Sequence, residues 1–407
     1  MKKIKKSPLL LIFLLVSTVT LAACTPSSQA GTSLENTIRL ATERAEALTE
    51  SISAFSGVQG LTIAIVDAET GFTWTQGFGY ADTANGIPVT EDTLFEIASV
   101  TKPFTAIAVM RLVEEGLIDL DEPVITYLPD FSILPHPAEG GDYRNITPRM
   151  LLSHSAGLPM WLPLNNGGAS MITPAGHTDE YMNNFLMHLS RETMIAQEGT
   201  RPSYSNAGIE TLATLIATVA GYDNYFEGYL NYTTGLLFEP LGLTHTSFLL
   251  TDETIANMSK PYLNHLGHYR SIDFVNSLSV GSMVTNASEM AILMHTILRD
   301  AMFDDGQFLR QETFDQMFDF GDTSRSRYTL GHLRVHWGLG FKERVSADGI
   351  SYIGHGGMGE GHHAEMIFHP ETGIGVFVSV NSNVGRIVPT VLSEELLLSA
   401  VNEKMGN

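Results

Sequence analysis

Residues 99–116 read SVTKPFTAIAVMRLVEEG, a stretch that joins an apolar run to a polar pair at its start. Proline breaks a helix interior but is tolerated in the first turn, where the backbone N–H groups have no partner. Pro103 therefore predicts a helix that begins close to Ser99, and Gly116 predicts its end. Since residues three apart share a helix face, we expect the Lys102 ammonium over the Ser99 hydroxyl.

A serine needs a neighbouring base to act as a nucleophile. A lysine that is partly desolvated and near other cations can lose its proton and serve as that base. The helix N-terminus also favours the negative charge that develops on the serine oxygen. Ser99 and Lys102 therefore predict nucleophilic catalysis, although so short a pattern also arises by chance and Ser99 is equally typical of a helix cap.

A second polar group is Tyr204-Ser205-Asn206, where a loop over residues 199–203 runs into an apolar helix beginning near Ala207. A tyrosine at such a junction can relay a proton between serine and leaving group if a cation stabilises its phenolate. Asn206 can orient the lysine and bind a substrate amide, and it is also a candidate N-cap. The same Tyr-x-Asn spacing occurs at Tyr143, Tyr181, Tyr222, Tyr229 and Tyr262, so context makes the choice.

A third group, His355-Gly356-Gly357, ends a short strand-like segment. Glycines allow a backbone to approach a ligand closely, and N–H groups at a strand edge can bind a carbonyl oxygen as it becomes an oxyanion. His355 can be neutral or charged near neutral pH and so can tune the site. The segment predicts a substrate-binding edge.

In their order and spacing, these three groups resemble the motifs of the serine β-lactamase and DD-peptidase superfamily. The likeness is greatest to its class C-like branch, which includes D-stereospecific peptidases and esterases. Residues 150–159, 280–286 and 368–375 resemble further segments of that branch, and the likeness covers about residues 34–403.

The resemblance implies that Ser99 is the acyl-accepting nucleophile, with Lys102 and Tyr204 as general base and proton shuttle. Asn206 becomes a positioning residue, and the N–H groups of Ser99 and Met358 form an oxyanion hole beside His355, Gly356 and Gly357 in the substrate site. The reaction is two acyl transfers through an ester on Ser99, and no metal or organic cofactor is required.

The third motif departs from the Lys-Thr-Gly or His-Thr-Gly of penicillin-recognising members, because Gly356 lacks the hydroxyl that binds a substrate carboxylate. This favours hydrolysis of esters or small amides and peptides. A penicillin-binding DD-peptidase or β-lactamase remains the alternative enzyme, and a surface binding protein without turnover is the alternative of another class.

Strand-like runs lie near both ends of the chain, and the middle is mostly helical. We therefore predict an α/β (α+β) fold of the β-lactamase/transpeptidase type, with an antiparallel sheet built from both chain ends and flanked by helices. The predicted hydrolase domain spans residues 34–403, with an α/β part at about 34–98 and 330–403 and a helical part at about 99–329. The hairpins are predicted at residues 61–67 with 72–78 and 363–369 with 374–380, and end helices at about 34–55 and 387–404.

The N-terminus has the marks of a secretory signal: four lysines, a short apolar run and small residues before Cys24. Leu21-Ala22-Ala23-Cys24 resembles a bacterial lipoprotein box, which implies cleavage after residue 23 and a lipid on Cys24. A flexible tether is predicted at residues 24–33. We therefore expect an extracytoplasmic protein anchored to a bacterial membrane, with an ordinary cleaved signal as the alternative.

The composition excludes several classes of function. Of 407 residues, 43% are hydrophobic and 17% charged, which excludes a disordered chain. The net charge of −22 makes nucleic acid an improbable partner, and loss of the signal would bring it to −26. A single cysteine excludes an internal disulfide.

Two features leave choices open. Acidic and histidine residues near the C-terminus look like a metal cluster, but loop and hairpin histidines explain them as well; they are His355, Glu360, His362, His363, Glu365 and His369. Residues 161–176 are rich in Gly, Pro and Asn and predict a mobile loop near the cleft. Oligomeric state is not indicated.

Overall fold

The computed structural model describes residues 34–50, 58–162, 173–174, 178–264, 274–275, 278–299, 302–303, 306–307, 309–320, 327–330 and 333–406. The predicted signal peptide, Cys24 and the tether lie outside these residues, as does most of the predicted loop at 161–176. None of the described helices is long and apolar enough to span a membrane.

One large antiparallel sheet organises the described chain, and its strands come from both ends of the sequence. The strands are β1 Gly60–Asp67, β2 Phe72–Asp82, β3 Ile87–Pro88, β4 Arg327–Leu330, β5 Leu333–Trp337, β6 Lys342–Val345, β7 Ser351–Met358, β8 His363–His369 and β9 Ile374–Val380. They run in the spatial order β4-β5-β6-β7-β8-β9-β1-β2-β3. The predicted sheet built from both chain ends is confirmed.

The two predicted hairpins form the centre of the sheet. Asp67 pairs with Phe72 at the β1–β2 turn, and His369 pairs with Ile374 at the β8–β9 turn. In the second turn Gly373 adopts a φ of 67°, a left-handed conformation that glycine enters without a Cβ penalty. Short strand-like apolar runs and the turn residues between them were therefore sufficient to predict this part of the fold.

Helices cover both faces of the central strands, so β1, β8 and β9 are buried along their whole length. Side chains of β1 alternate between two apolar clusters, as the period of a strand requires. Leu61 and Ile63 pack with helices from the two chain ends, whereas Ala64 and Val66 pack with the helical region. This double burial gives the sheet the continuous apolar sequence that the hairpins show.

The helical region is inserted between β3 and β4, and the end helices pack together against the sheet. The helices are α1 Glu35–Glu50, α2 Thr101–Glu114, α3 Pro148–Leu152, α4 Thr178–Asn183, α5 Phe185–Leu189, α6 Asn206–Val219, α7 Tyr225–Thr233, α8 Asp252–Asn257, α9 Leu278–Gly281, α10 Ala287–Leu298, α11 Gln311–Met317 and α12 Val388–Met405. Short 3₁₀ turns lie at Ala98–Val100, Val124–Thr126, Tyr143–Asn145 and Pro370–Thr372, with a π-turn at Thr234–Phe238. Two-residue strands pair Phe95–Glu96 with Val284–Thr285, Thr173–Pro174 with Phe274–Val275 and Met302–Phe303 with Gly306–Gln307.

Candidate active site

Ser99 and Lys102 lie in hydrogen-bond contact at the start of α2. Ser99 sits in the 3₁₀ turn that leads into the helix, and Lys102 Nζ lies 2.8 Å from Ser99 Oγ. The lysine is fully buried, and its Nζ also donates to the Val280 carbonyl oxygen at 2.7 Å. Val100, and not Ser99, is the helix cap, so the cap interpretation of Ser99 is wrong.

The residue before the serine has an unusual backbone. Ala98 has a φ of 47°, a left-handed conformation that residues with a Cβ rarely adopt. Surrounding contacts must hold it there, because such a conformation is costly for alanine. The strained turn presents Ser99 half-exposed above the buried amine.

The environment of Lys102 favours the neutral amine. Burial lowers the pKa of Lys102 well below its ordinary value; the Glu210 carboxylate raises it in part, and Lys342 lowers it further. Lys102 Nζ is hydrogen-bonded to a hydroxyl and a carbonyl. The pKa of the neighbouring Lys342 is itself lowered to about 8, chiefly by burial. A neutral amine against a serine hydroxyl is the arrangement that base catalysis needs.

Tyr204 lies two residues before the start of α6 and beside the lysine. The centroid of its ring lies 5.1 Å from Lys102 Nζ. Ser205, and not Asn206, caps the helix: its Oγ accepts from the Gly208 N–H at 2.8 Å and donates to the Pro159 carbonyl at 2.7 Å. The N-cap interpretation of Asn206 is therefore wrong. Asn206 is the first residue of the helix and is buried.

Two aromatic rings that the sequence did not assign to the site hold Tyr204. The ring centroids of His154 and Trp337 are 4.5 Å apart. The Tyr204 centroid lies 4.5 Å from that of His154 and 5.6 Å from that of Trp337. His154 has a φ of 56°, and its Nδ1 accepts the Ser205 N–H at 3.2 Å. Burial, then the charges of Lys102 and Lys342, lowers the pKa of His154 to about 3. It is therefore a neutral packing residue of the site wall.

The third motif faces the serine along an open strand edge. β6 pairs with β7 only as far as Gly354, so His355 to Met358 are paired with β8 on one side and with no described strand on the other. A Cβ on Gly357 would overlap the Ile97 carbonyl and lie 3.2 Å from the Ser99 nitrogen. Glycine is thus required where β7 meets the serine turn. Met358 follows Gly357 at the end of β7, and its side chain is exposed.

His355 is neutral in this setting. Its Nδ1 is 2.7 Å from the Gly356 carbonyl, so Nδ1 carries the proton. Burial, then Lys342 and Lys102, lowers the pKa of His355 well below its ordinary value. The imidazole therefore brings no charge to the site near neutral pH.

Gly356 lies over a buried carboxylate. A Cβ at this position would be 2.5 Å from Glu365 Oε2. Glu365 is 2% exposed, pairs with Arg344 at 2.6 Å and accepts from Thr390 at 2.8 Å. The glycine in the motif thus has a steric cause.

Among the described residues, the histidines near the C-terminus do not form a metal centre with Glu365. His362 Nε2 contacts Ser259 Oγ at 2.9 Å, and His363 Nε2 contacts Asn383 at 2.9 Å. Within the part of the chain that the structure describes, no group of His, Cys, Asp and Glu is arranged to hold a metal ion.

Several curated proteins are similar in sequence to parts of this chain. Esterase EstB of Burkholderia gladioli is 32% identical over 193 residues, or 46% of each chain. Protein flp of Staphylococcus aureus is 27% identical over 177 residues, 44% of this chain and 32% of flp. The human mitochondrial serine beta-lactamase-like protein LACTB is 37% identical over 103 residues, 25% of this chain and 18% of that one. The chain thus aligns with less than half the length of these curated relatives.

Solved structures of similar fold include the octameric penicillin-binding protein homologue from Pyrococcus abyssi. That structure has a TM-score of 0.65 at 22% identity and covers 92% of this chain and 77% of its own. A beta-lactamase/D-alanine carboxypeptidase from Pseudomonas syringae has a TM-score of 0.66 at 16% identity, covering 89% and 98%. These likenesses show the fold.

The family model described as Beta-lactamase matches residues 48–391, which include Ser99, Lys102, Tyr204 and the open edge of β7. With the fold and the family model in agreement, the chain belongs to the Beta-lactamase family.

Proposed function

We propose that this protein is a serine hydrolase that cleaves carboxylic esters and small amides through an acyl-enzyme on Ser99. The observation that carries the proposal is the contact of 2.8 Å between Ser99 Oγ and Lys102 Nζ, in surroundings that favour the neutral amine. Such a pair has both the nucleophile and the base of acyl transfer.

In acylation, Ser99 Oγ forms a bond to the substrate carbonyl carbon and passes its proton to Lys102 Nζ. The carbonyl electron pair moves to the oxygen, where the N–H groups of Ser99 and Met358 stabilise the charge. The tetrahedral intermediate then expels the alkoxide or amine, which receives the proton of Lys102 through Tyr204. In deacylation, water adds to the ester carbonyl and passes a proton to Lys102; the second tetrahedral intermediate then breaks its bond to Ser99 Oγ, which takes that proton back as the carboxylic acid is released.

Neutral substrates fit the site better than carboxylates do. Gly356 supplies no hydroxyl that could bind a substrate carboxylate, and Glu365, which lies against this glycine, is already paired with Arg344. The net charge of −22 also repels anions. The 32% identity to a protein named as an esterase supports the same choice, whereas the fold shared with a beta-lactamase/D-alanine carboxypeptidase supports the alternative enzyme.

The test is hydrolysis of a nitrophenyl acyl ester by the purified protein. Ser99→Ala should lower kcat/KM on the order of a thousandfold or more, whereas Ser190→Ala, a serine outside the site, should leave it unchanged. A fluorophosphonate should label Ser99. Equal activity of Ser99→Ala and the parent protein would disprove the mechanism, and rapid nitrocefin hydrolysis or stable retention of penicillin would favour the β-lactamase or DD-peptidase alternative.

We also propose that the mature protein is an extracytoplasmic lipoprotein anchored to a bacterial membrane through Cys24. The support is the basic and apolar N-terminus ending in Leu21-Ala22-Ala23-Cys24, which contains the only cysteine. In a bacterial host, Cys24→Ser should abolish incorporation of labelled palmitate and release the protein from the membrane fraction. Unchanged membrane retention of Cys24→Ser would contradict the anchor.

A further inference from the structure

The four-residue helix α9 is locked between α2 and α6 by side-chain contacts to its backbone. Two residues of α2 donate to its carbonyl groups: Thr105 Oγ1 to Ser279 at 2.7 Å and Lys102 Nζ to Val280 at 2.7 Å. On the other side, Ser279 Oγ donates to Glu210 Oε2 of α6 at 2.8 Å. The Val280 carbonyl, which contacts the proposed base, is therefore adjacent in sequence to Ser279, which contacts Glu210.

Glu210 is an unusual residue for the inside of a protein. It is 2% exposed and lies on α6 one helical turn beyond Asn206. Burial of a carboxylate is costly unless hydrogen bonds and an opposite charge compensate. Ser279 provides a hydrogen bond, and Lys102 is the group that Glu210 favours as a cation once Lys102 takes a proton during the reaction.

From these contacts we propose that Glu210 is a positioning residue for the proposed reaction, with two effects on the base. Through Ser279 it holds the Val280 carbonyl against Lys102, and its negative charge stabilises the ammonium that forms when Lys102 takes the Ser99 proton. The inference rests on the proposed function and adds to it the group that controls the base.

The charges around Lys102 make this effect measurable. The groups that face Lys102 or Glu210 from the packed elements are Lys342 on β6, His355 on β7, His154, Tyr204 and Tyr229 on α7. His154 and His355 are neutral, and Lys342 opposes protonation of Lys102. Among these described groups, Glu210 is thus the one that carries a negative charge. Its removal makes Lys102 a weaker base that loses its proton at lower pH.

The deciding experiment compares Glu210→Gln with Glu210→Asp, Ser279→Ala and a matched control. Glutamine keeps the shape and a hydrogen-bond acceptor for Ser279 but removes the charge. Thr211→Val is the control, because Thr211 is buried on the same helix and bonds only to the Ala207 carbonyl at 2.8 Å among the contacts described. The readouts are the pH profile of ester kcat/KM and the rate of fluorophosphonate labelling of Ser99.

For Glu210→Gln, the acid limb of both profiles should move to lower pH by about one unit or more, and the plateau rate should fall. Glu210→Asp should return the limb toward that of the parent protein. Ser279→Ala, which keeps the charge, should lower the plateau with a smaller shift of the limb. Thr211→Val should not shift it.

An acid limb of Glu210→Gln that coincides with that of the parent protein would overturn the role of the charge. If Glu210→Gln does not fold, Ser279→Ala decides the positioning role: a lowered plateau with an acid limb near that of the parent protein supports it, and a plateau equal to that of the parent protein overturns it. Failure of the parent protein to label at Ser99 or to turn over any ester would instead overturn the proposed function itself, and this role with it.

Discussion

The two buried basic side chains Lys102 and Arg344 differ in their partners. Arg344 pairs with Glu365 at 2.6 Å, and although burial opposes its charge, Glu365 and hydrogen bonds raise the pKa of Arg344. Lys102 instead contacts a hydroxyl and a carbonyl, and burial lowers the pKa of Lys102 well below its ordinary value. A directly paired cation stays charged and stabilises its surroundings, whereas one without a contacting carboxylate can exchange a proton.

The first way to test this contrast is Lys102→Met, which removes the amine and leaves an apolar side chain of similar size. We expect ester kcat/KM to fall on the order of 10³-fold or more, because general base catalysis is lost. Stability should be equal or higher, because a desolvated amine is replaced by an apolar group. Ester kinetics and thermal unfolding check both parts; a large loss of stability would show that the amine is structural.

Arg344→Met tests the other member of the pair. It leaves Glu365 buried without its cation, which should lower the free energy of unfolding by about 3–5 kcal/mol. Urea unfolding measures the change. The control is Arg144→Met, which breaks an exposed pair with Asp142 and should therefore have a much smaller effect on stability, because solvent screens that pair. Equal effects of the two substitutions would contradict the difference in burial.

The buried imidazole of His154 predicts a pH dependence of stability. Because the pKa of His154 is lowered to about 3, the unfolded chain binds a proton at this residue below its ordinary pKa of 6.5 and the native protein does not. Stability should therefore fall as the pH decreases from 6.5 toward 3. His154→Asn, in which asparagine tolerates the left-handed backbone, should reduce the stability lost between pH 6.5 and 3 by up to a few kcal/mol. Urea unfolding at several pH values tests it; an unchanged slope would assign the acid sensitivity elsewhere.

Gly356→Thr should have the smallest effect of the four. The new Cβ would meet Glu365 Oε2 at 2.5 Å, so Glu365 or β7 must shift, at a cost of about 1–3 kcal/mol. The hydroxyl should not bring penicillin binding while Glu365 remains below it. Unfolding and labelled-penicillin retention are the measurements, and a gain of retention with full stability would disprove the steric explanation of the glycine.

Local patterns were sufficient to predict the two central hairpins of the sheet and the contact between Ser99 and Lys102. The β1–β2 and β8–β9 hairpins follow from short apolar runs and their turns. Likewise, the contact of Ser99 with Lys102 follows from helical spacing and the position of Pro103. Tyr204 was selected by its loop-to-helix context and the family resemblance, because its spacing to Asn206 occurs elsewhere in the chain.

Other site features are visible only in three dimensions. His154 and Trp337 against Tyr204, and Glu365 beneath Gly356, join residues from distant segments. The sequence could have flagged Glu210 only as a charge within an apolar helix.

The sequence by itself determined the hairpins, the family resemblance and which residues are proposed as nucleophile and base, because these depend on residue type and local spacing. Only the tertiary structure decided that the proposed base is desolvated and which groups surround it. Burial and Coulomb interactions depend on distance in space, and folding brings Glu210 and Lys342 to Lys102 from segments far apart along the chain.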